Sequence, residues 1–490
     1  MEPFNRPASR RHAALGVFWG TIERAATQGI SFAVVVILAR ILGPESYGLV
    51  TLAATIALFG QMLLGETFSQ ALIQQKILEP EHISSLFWVL LGTSIIAAGA
   101  QFLLADWLAG FFSQAAVAPI LRALSPLLVL SALQAVPTAL FKRALNFRAL
   151  AAASTTGTLL GGVAGVALAY AGFGPWSLVA NLLVQNALTT IAIWRQAAFR
   201  PGPIFSRRHL GELWTYGQYT FLVRIAAFVA NQSPRLLIGY LFGTAALGAF
   251  SLGLRIVEIL YQLLSLPAVN VSVSVIARIR DDSKRLARTV LTATQLAAII
   301  SAPIFTGLAL IAPLLVPFAF GTRWTPTVPV VQILCVYGIS VSCGLIWGGI
   351  IAGLGRPDVT LATTTTAAVV SVSVLLLAAP WGVAAAASAF VVRSYLTMPF
   401  MPFVIARLTG MSAAEQYRVF VPVLVAVAMM AVSVEATIVV VAGALPPFAA
   451  IAAAMAVGAT SYGLALYLFA RPVLQLGLSF LTQLRPSQAA

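Results

Sequence analysis

Two arginines, Arg24 and Arg224, stand in the middle of long apolar segments exactly two hundred positions apart. The same glycines follow each of them at the same distances: Gly43 and Gly48 in the first copy, Gly243 and Gly248 in the second. A charged side chain inside a bilayer is costly, so a duplicated intramembrane arginine predicts a charged cavity shared by two related halves. A guanidinium stays protonated and donates paired hydrogen bonds, which suits phosphate. The predicted chemistry is therefore the binding of an anionic ligand.

Other polar residues accompany these arginines at helical spacing. Residues three or four positions apart share one face of a helix, and such stripes occur in the first, seventh and eighth apolar segments. Several stripes together predict a water-filled cavity rather than one incidental polar face. We predict that the substrate-binding residues of this cavity are Arg24, Arg224, Arg255, Gln28, Asn231, Glu258, Glu66 and Arg393.

A structural role is the alternative for the same charges. Arg24 has Glu23 and Glu66 as candidate partners, and Arg255 has Glu258 one helical turn away, so ion pairs between or within helices would also explain them. Arg235 reaches the outer interface if its long side chain snorkels. Both interpretations stay open at this point.

The elements that must carry these residues are membrane helices. Of the 490 residues, 60% are hydrophobic and only 9% are charged, whereas roughly a quarter are charged in soluble domains. Apolar runs of about twenty residues recur along the chain, which is the length that crosses the hydrocarbon core. Their period is helical, not the alternation of a barrel strand. The first run is too long for a signal peptide, so we expect it to be retained.

The positions of the basic residues predict the orientation. We expect fourteen spans, with both chain ends on the same side of the membrane. Of the 29 lysines and arginines, 21 fall on the side of the N-terminus, three on the opposite side and five inside spans. Cytoplasmic loops carry the excess of basic residues, so both termini are predicted to be cytoplasmic. The same bias explains the net charge of +15 without a nucleic-acid partner.

The repeat divides the chain into predicted domains. The fold class is an all-α membrane protein with two pseudo-symmetric six-helix lobes and a terminal helix pair. Its predicted parts are an N-lobe at 1–195, a basic cytoplasmic linker at 196–212, a C-lobe at 213–405 and the terminal pair with a short tail at 406–490.

No residues with the spacing of a catalytic or cofactor site stand out. There is no phosphate-binding glycine–lysine loop, so we predict that the protein is not an enzyme and has no cofactor. Cys335 and Cys343 lie in one predicted span and are expected to be buried apolar thiols. His12, His82 and His209 lie far apart in the sequence, so we predict no metal or acid–base cluster.

Five segments resemble a known family. They are ILARILGPESYGLVTLA (37–53), SQALIQQKILEPEHISSLFW (69–88), RLLIGYLFGTAALGAFSLGLRI (235–256), PLLVPFAFGTRWTPTVPVVQIL (313–334) and GLGRPDV (353–359). Their order and spacing are similar to those of the polysaccharide exporter branch of the multidrug/oligosaccharidyl-lipid/polysaccharide (MOP) flippase superfamily.

The resemblance implies a function as well as a fold. It implies alternating access, with an undecaprenyl-diphosphate-linked oligosaccharide moved across the cytoplasmic membrane of a bacterium for O-antigen, capsule or exopolysaccharide synthesis. It also implies that arginines in the cleft bind the diphosphate, and Arg24, Arg224 and Arg255 match that role. Relatives often carry an aspartate where this chain has Pro234, which puts an acidic coupling site there in doubt. The expected partners are the lipid-linked anionic oligosaccharide, membrane lipid and polysaccharide polymerase machinery.

Three rival functions remain. A lipid II flippase for peptidoglycan would share the fold and the charge. A cation-coupled multidrug extruder of the same superfamily is expected to have twelve spans and a cavity rich in carboxylates. A membrane glycosyltransferase would need a sizeable extramembrane loop or clustered acidic residues, and neither is visible in the sequence.

Overall fold

The computed structural model describes the chain at 10–64, 72–73, 75, 78–197, 199–279, 283–353, 357–398, 403, 406–407, 412–418, 420–441 and 444–469. Side chains are described from residue 27 onward, except at 63–64, 212–220, 265–279, 283–284, 346, 352–353, 357 and 413. The regular secondary structure in these ranges is helical, with no strand among the described residues. The predicted all-α fold class is confirmed for this part of the chain.

The chain divides into two units, Met1–Ser251 and Leu252–Ala490. Helices α1 to α7 belong to the first unit: α1 (Arg10–Leu64), α2 (Pro80–Leu103), α3 (Ala105–Phe111), α4 (Val117–Leu124), α5 (Pro126–Arg143), α6 (Phe147–Tyr170) and α7 (Trp176–Gln196). Helix α8 (Arg207–Ile279) contains the boundary. The second unit continues with α9 (Ser283–Phe320), α10 (Val328–Gly353), α11 (Pro357–Ala378), α12 (Val383–Thr397), α13 (Ala413–Arg418), α14 (Val421–Val441) and α15 (Pro447–Phe469). The predicted lobes rest on the sequence repeat and stay a prediction.

Two long helices bend at the repeated glycines. Gly43 in α1 has φ of 79°, and Gly243 in α8 has φ of 81°. A side chain is disfavoured in this left-handed region, so glycine suits both bends. Pro44 adds to the first bend because it has no N–H to donate to the preceding turn.

Glycines also bring α6 against α7. The three glycines on this face are four residues apart: Gly157, Gly161 and Gly165. A Cβ added to Gly161 would lie 2.8 Å from the carbonyl oxygen of Asn181, and one added to Gly165 would lie 3.0 Å from that of Ser177. A stripe of small residues is a common way for helices to pack closely within a bilayer. It holds α7, one of the helices that line the site described below.

In the second unit, polar side chains tie neighbouring helices together through backbone and hydroxyl groups. The hydroxyl of Tyr462 on α15 donates to the carbonyl of Ile299 on α9 at 2.9 Å. The indole Nε1 of Trp347 on α10 donates to the Thr294 hydroxyl at 3.1 Å. Such bonds satisfy polar groups that find no water in the bilayer.

Among the described residues, eleven helical segments are long and apolar enough to cross a membrane. The prediction of fourteen spans is therefore not confirmed. Two of the eleven, Thr27–Met62 and Phe221–Leu264, run through the glycine bends, where the sequence predicted a loop between two spans. A further apolar helix, Val383–Thr397, is shorter than the others. The count differs because α1 and α8 each consist of two helices that join at a non-helical glycine, and because α12 is shorter than the other apolar helices.

Candidate functional site

The first unit contains a cavity of about 580 Å³ between α1, α5, α7 and α8. Two basic residues line it, Arg224 from α8 and Lys142 from α5. Neutral polar residues surround them: Gln61, Ser131, Gln134, Thr138, Asn186, Asn231 and Gln232. The volume falls within the range of roughly 300–1,000 Å³ that is typical of small-molecule pockets.

Helix α5 supplies a polar face that the sequence analysis missed. Ser131, Gln134, Thr138 and Lys142 are separated by three, four and four residues, so they lie along one side of the helix. All four line the cavity. This spacing is a usable sequence signal, although Lys142 is also one of the 21 basic residues on the side of the N-terminus and there indicates only the orientation.

The cavity wall on α5 is fixed by hydrogen bonds to α7. The side-chain amide of Gln134 donates to the Thr190 hydroxyl at 2.8 Å and to the Asn186 carbonyl at 3.1 Å. The indole of Trp194 donates to the Leu133 carbonyl at 3.0 Å. Burying an amide without a partner would cost free energy, so these bonds hold the two helices in register.

Helix α8 contributes Arg224 and Asn231, two turns apart on one face. The Asn231 amide donates to the Ala227 carbonyl of its own helix at 2.9 Å. Between them, Phe228 packs against Phe59 of α1 with ring centroids 4.9 Å apart. This aromatic contact positions α8 beside α1 at the level of the cavity.

The charge of the cavity wall is positive. Lys142 and Arg224 are its basic groups, and no carboxylate occurs among the described residues that line it. Lysine and arginine are the side chains that bind phosphate through charge-assisted hydrogen bonds. The neutral amides and hydroxyls beside them match the hydrogen-bonding groups of a sugar.

The structure brings together two of the predicted site residues, Arg224 and Asn231, at this one cavity. Gln28 is half-buried on α1, whereas the side chain of Arg24 and all of Glu66 lie outside the described residues. Arg255 and Glu258 are half-buried and belong to the second unit. Their part in binding stays a prediction.

Arg393 has a different environment from Arg224. Its side chain is only 6% exposed, lies over the Phe390 ring at 4.5 Å and hydrogen-bonds Tyr337. A cation over an aromatic face is stabilised without a carboxylate. This setting favours a structural role in the second unit, while its predicted role in binding remains to be tested.

Most of the other intramembrane polar residues bond to helices. Thr27 and Thr155 share a hydrogen bond of 3.0 Å between α1 and α6, and the Gln185 amide donates to the Thr158 hydroxyl at 3.1 Å between α7 and α6. Thr363 donates to carbonyls of its own helix. These contacts are hydrogen bonds between neighbouring helices or within one helix, the usual use of such residues in a bilayer.

Two histidines that are distant in sequence meet in the fold, contrary to prediction. The rings of His82 and His209 are 4.4 Å apart, and Nε2 of His209 lies 2.9 Å from Oε2 of Glu79. The prediction that the histidines form no cluster is wrong for His82 and His209, because residues 199–209 fold back onto the start of α2. Nδ1 of His82 accepts the backbone N–H of Glu79 at 3.3 Å, so in the neutral ring the proton is on Nε2. Glu79, His82 and His209 each offer a ligand atom within 4.8 Å of the others, a spacing that could hold a metal ion, so the predicted absence of a metal is not confirmed.

Comparison with known proteins decides the family. A family model described as "Polysaccharide biosynthesis protein" matches residues 37–329, which is more than half of the chain. The chain belongs to this polysaccharide biosynthesis family. The matched range includes the helices that line the cavity, and the membership predicted from the five segments is confirmed.

Two bacterial proteins are similar to this chain over most of its length. The chain is 31% identical over 328 residues to the succinoglycan biosynthesis transport protein ExoT of Rhizobium meliloti (strain 1021), covering 67% of this chain and 66% of that protein. It is 25% identical over 354 residues to the lipopolysaccharide biosynthesis protein WzxC of Escherichia coli (strain K12), covering 71% of this chain and 72% of that protein. The aligned region thus spans slightly less than two thirds of ExoT.

Solved structures share the fold of this family member. The lipid II flippase MurJ, in an inward closed conformation, superposes with a TM-score of 0.76 at 11% identity, covering 94% of this chain and 100% of that one. An inward-facing multidrug resistance MATE transporter of the MOP superfamily gives 0.62 at 16% identity, covering 80% and 99%. At these identities the likeness extends to the fold alone.

Proposed function

We propose that this protein is a flippase that moves an oligosaccharide linked to a polyprenyl diphosphate across the bacterial cytoplasmic membrane. The observation that carries the proposal is the cavity of the first unit, where Arg224 and Lys142 stand among neutral amides and hydroxyls. The family membership and the names of ExoT and WzxC support a role in polysaccharide export. The protein would do no covalent chemistry.

The cargo has three parts that need different surroundings. The diphosphate needs cations, and Arg224 and Lys142 provide them. The sugars need neutral hydrogen-bonding groups. The side-chain amides of Gln134, Asn186 and Asn231 donate to helix groups, so their amide oxygens are the atoms that can accept from sugar hydroxyls. The polyprenyl tail needs no protein pocket because it remains soluble in the bilayer.

We propose that the chain crosses the membrane fourteen times with both termini in the cytoplasm. In this arrangement each helix with a glycine bend counts as two crossings, and α12 counts as one. The basic loops support the orientation. The bends at Gly43 and Gly243 are suited to alternating access, because glycine accommodates a change of backbone angle at a hinge.

The cations moved by a drug extruder differ in charge from the diphosphate-linked cargos. A cation-coupled drug extruder would be expected to attract cations, which Arg224 and Lys142 disfavour at this cavity. Lipid II also carries a diphosphate, and the fold likeness to MurJ has no bearing on the glycan. We therefore assign the isoprenoid diphosphate as the recognised chemistry and the polysaccharide repeat unit as the cargo, on the strength of the family relatives.

The first test is binding of farnesyl diphosphate to the purified protein by calorimetry. Arg224→Ala should weaken binding by about tenfold or more, as expected for the loss of a charge-assisted contact. Arg224→Lys should recover part of it, because the charge is kept and the planar fork is lost. Arg323→Ala is the matched control, since it removes an exposed arginine of the second unit. Equal affinity in Arg224→Ala and wild type would refute diphosphate binding at this cavity.

The second test separates the cargos in cells. A strain that lacks its own exopolysaccharide flippase should regain surface polysaccharide with the wild-type chain and not with Arg224→Ala. A strain depleted of its lipid II flippase should not be rescued. If only the strain depleted of its lipid II flippase were rescued, the protein would serve peptidoglycan synthesis and not polysaccharide export.

A further inference from the structure

Residues 199–209 of the linker predicted at 196–212, called the linker from here on, bond to the end of α2 that the basic-residue bias predicts to be cytoplasmic. The Trp88 indole donates to the Gly202 carbonyl at 2.8 Å, and the Gly202 amide donates to the Ser84 hydroxyl at 3.2 Å. The Ser206 amide donates to the Ser85 hydroxyl at 2.8 Å. Backbone bonds to a helix at three points give the linker one defined face toward the protein and another away from it.

Aromatic side chains lie beneath the linker. Phe199 packs against Phe87 and Trp194 with ring centroids 6.1 Å and 6.3 Å apart, and Phe87 contacts Trp88 at 5.3 Å. Tryptophan is enriched where membrane meets water, because it has an apolar body and a polar N–H. Aromatic side chains in this position are typical of a segment at the depth of the lipid headgroups.

The face of the linker that points away from the protein is apolar and basic at once. Ile204 is 43% exposed and Phe205 is 57% exposed, although both are large hydrophobic residues. Arg200, Arg207 and Arg208 are exposed on either side of them. The stretch 199–209 contains no acidic residue, and the nearby Glu79 carboxylate bonds His209.

We propose that this face of the linker binds anionic phospholipid in the cytoplasmic leaflet, with Ile204 and Phe205 inserted among the acyl chains and Arg207 bonded to headgroup phosphate. A segment with apolar and basic residues on one face binds a membrane surface by burying the apolar side chains and by electrostatic attraction. The electrostatic attraction requires anionic lipid. The linker joins the two copies of the repeat. Its attachment fixes the start of α8, the helix that carries Arg224.

The test uses the full-length protein in nanodiscs of phosphatidylcholine, with or without phosphatidylglycerol. A polarity-sensitive fluorophore is attached through Phe205→Cys; the native Cys335 and Cys343 are buried and do not compete for the label. Lipids brominated on their acyl chains should quench the label about twofold in discs that contain phosphatidylglycerol, because contact quenching requires insertion. The labelled control is Phe173→Cys. Phe173 lies in the turn between α6 and α7, and its side chain is 55% exposed.

The charge term is measured by lipid retention. Native mass spectrometry counts phosphatidylglycerol bound after detergent extraction, and Arg207→Gln should lower the retained amount by about fivefold, the effect of roughly one basic contact. Arg323→Gln removes the same charge from the second unit and should retain the wild-type amount. Three results would overturn the proposal. The label could stay unquenched, its quenching could be equal in neutral and anionic discs, or Arg207→Gln could leave the retained phosphatidylglycerol unchanged.

Discussion

Gly48 and Gly248, equivalent positions in the two copies of the repeat, pack backbone to backbone within the first unit. A Cβ on Gly48 would lie 1.8 Å from the carbonyl oxygen of Thr244, and a Cβ on Gly248 would lie 1.9 Å from that of Pro44. Each glycine thus faces the residue four positions before the other. The contact is reciprocal, as expected when two copies of one ancestral segment meet across a pseudo-twofold axis.

Alanine at either position should disrupt this crossing. Real Cβ atoms do not come within 3.0 Å of such neighbours, so α1 and α8 must separate by about an ångström. We expect Gly48→Ala and Gly248→Ala to cost about 1–3 kcal/mol each and to lower the thermal midpoint in detergent by several degrees. Gly29→Ala is the matched control on α1, because nothing lies within 4 Å of the added methyl. Similar midpoints for Gly48→Ala and Gly29→Ala would contradict the close crossing.

Lys142 and Arg224 should act on one ligand. Because both line the same cavity, a double-mutant cycle of Lys142→Ala and Arg224→Ala for farnesyl diphosphate is expected to be non-additive. Each single change should weaken binding by about tenfold, and the pair by less than the product of the two. Lys142→Arg should preserve most of the affinity. Strict additivity would mean that the two cations contact separate ligands.

Arg393 should prove structural. Its side chain lies over Phe390 and is nearly buried, so Arg393→Ala leaves space above the ring and removes the bond to Tyr337. We expect a loss of about 1–2 kcal/mol in stability, measured by thermal unfolding, with unchanged affinity of the first-unit cavity for farnesyl diphosphate. An affinity loss in a stable Arg393→Ala protein would restore the binding role predicted from sequence.

The attachment of the linker should control its access to protease. Trypsin cleaves after arginine, and Arg207 and Arg208 are exposed where the linker bonds α2. Ser85→Ala removes the acceptor of the Ser206 amide, and His209→Ala removes the bond to Glu79, so both should speed cleavage there several-fold. Thr93→Ala provides the control on the same helix, since Thr93 bonds only carbonyls of α2. Unchanged cleavage in Ser85→Ala and His209→Ala would show that these bonds do not hold the linker.

The sequence alone determined the class of molecule, and it predicts an anionic ligand. Apolar runs and helical periodicity are local properties, so the all-helical fold followed from them directly. The duplicated arginines and glycines predicted a repeat, and Arg224 does line a cavity whose wall has both polar and apolar side chains. The glycine bends also follow from sequence, although their effect on the span count does not, because a bend and a loop look alike in an apolar profile.

Only the tertiary structure decided which polar faces meet. Lys142 and Gln134 became cavity residues because α5 turns its polar stripe toward α8, and that rotation depends on packing against α7. His82 and His209 are adjacent because the linker folds back onto α2, a contact across more than a hundred residues of chain. Arg393 shares its residue type with Arg224 but lies against an aromatic ring. Helical spacing shows which residues share a face, whereas the partner of that face depends on long-range packing that no local pattern encodes.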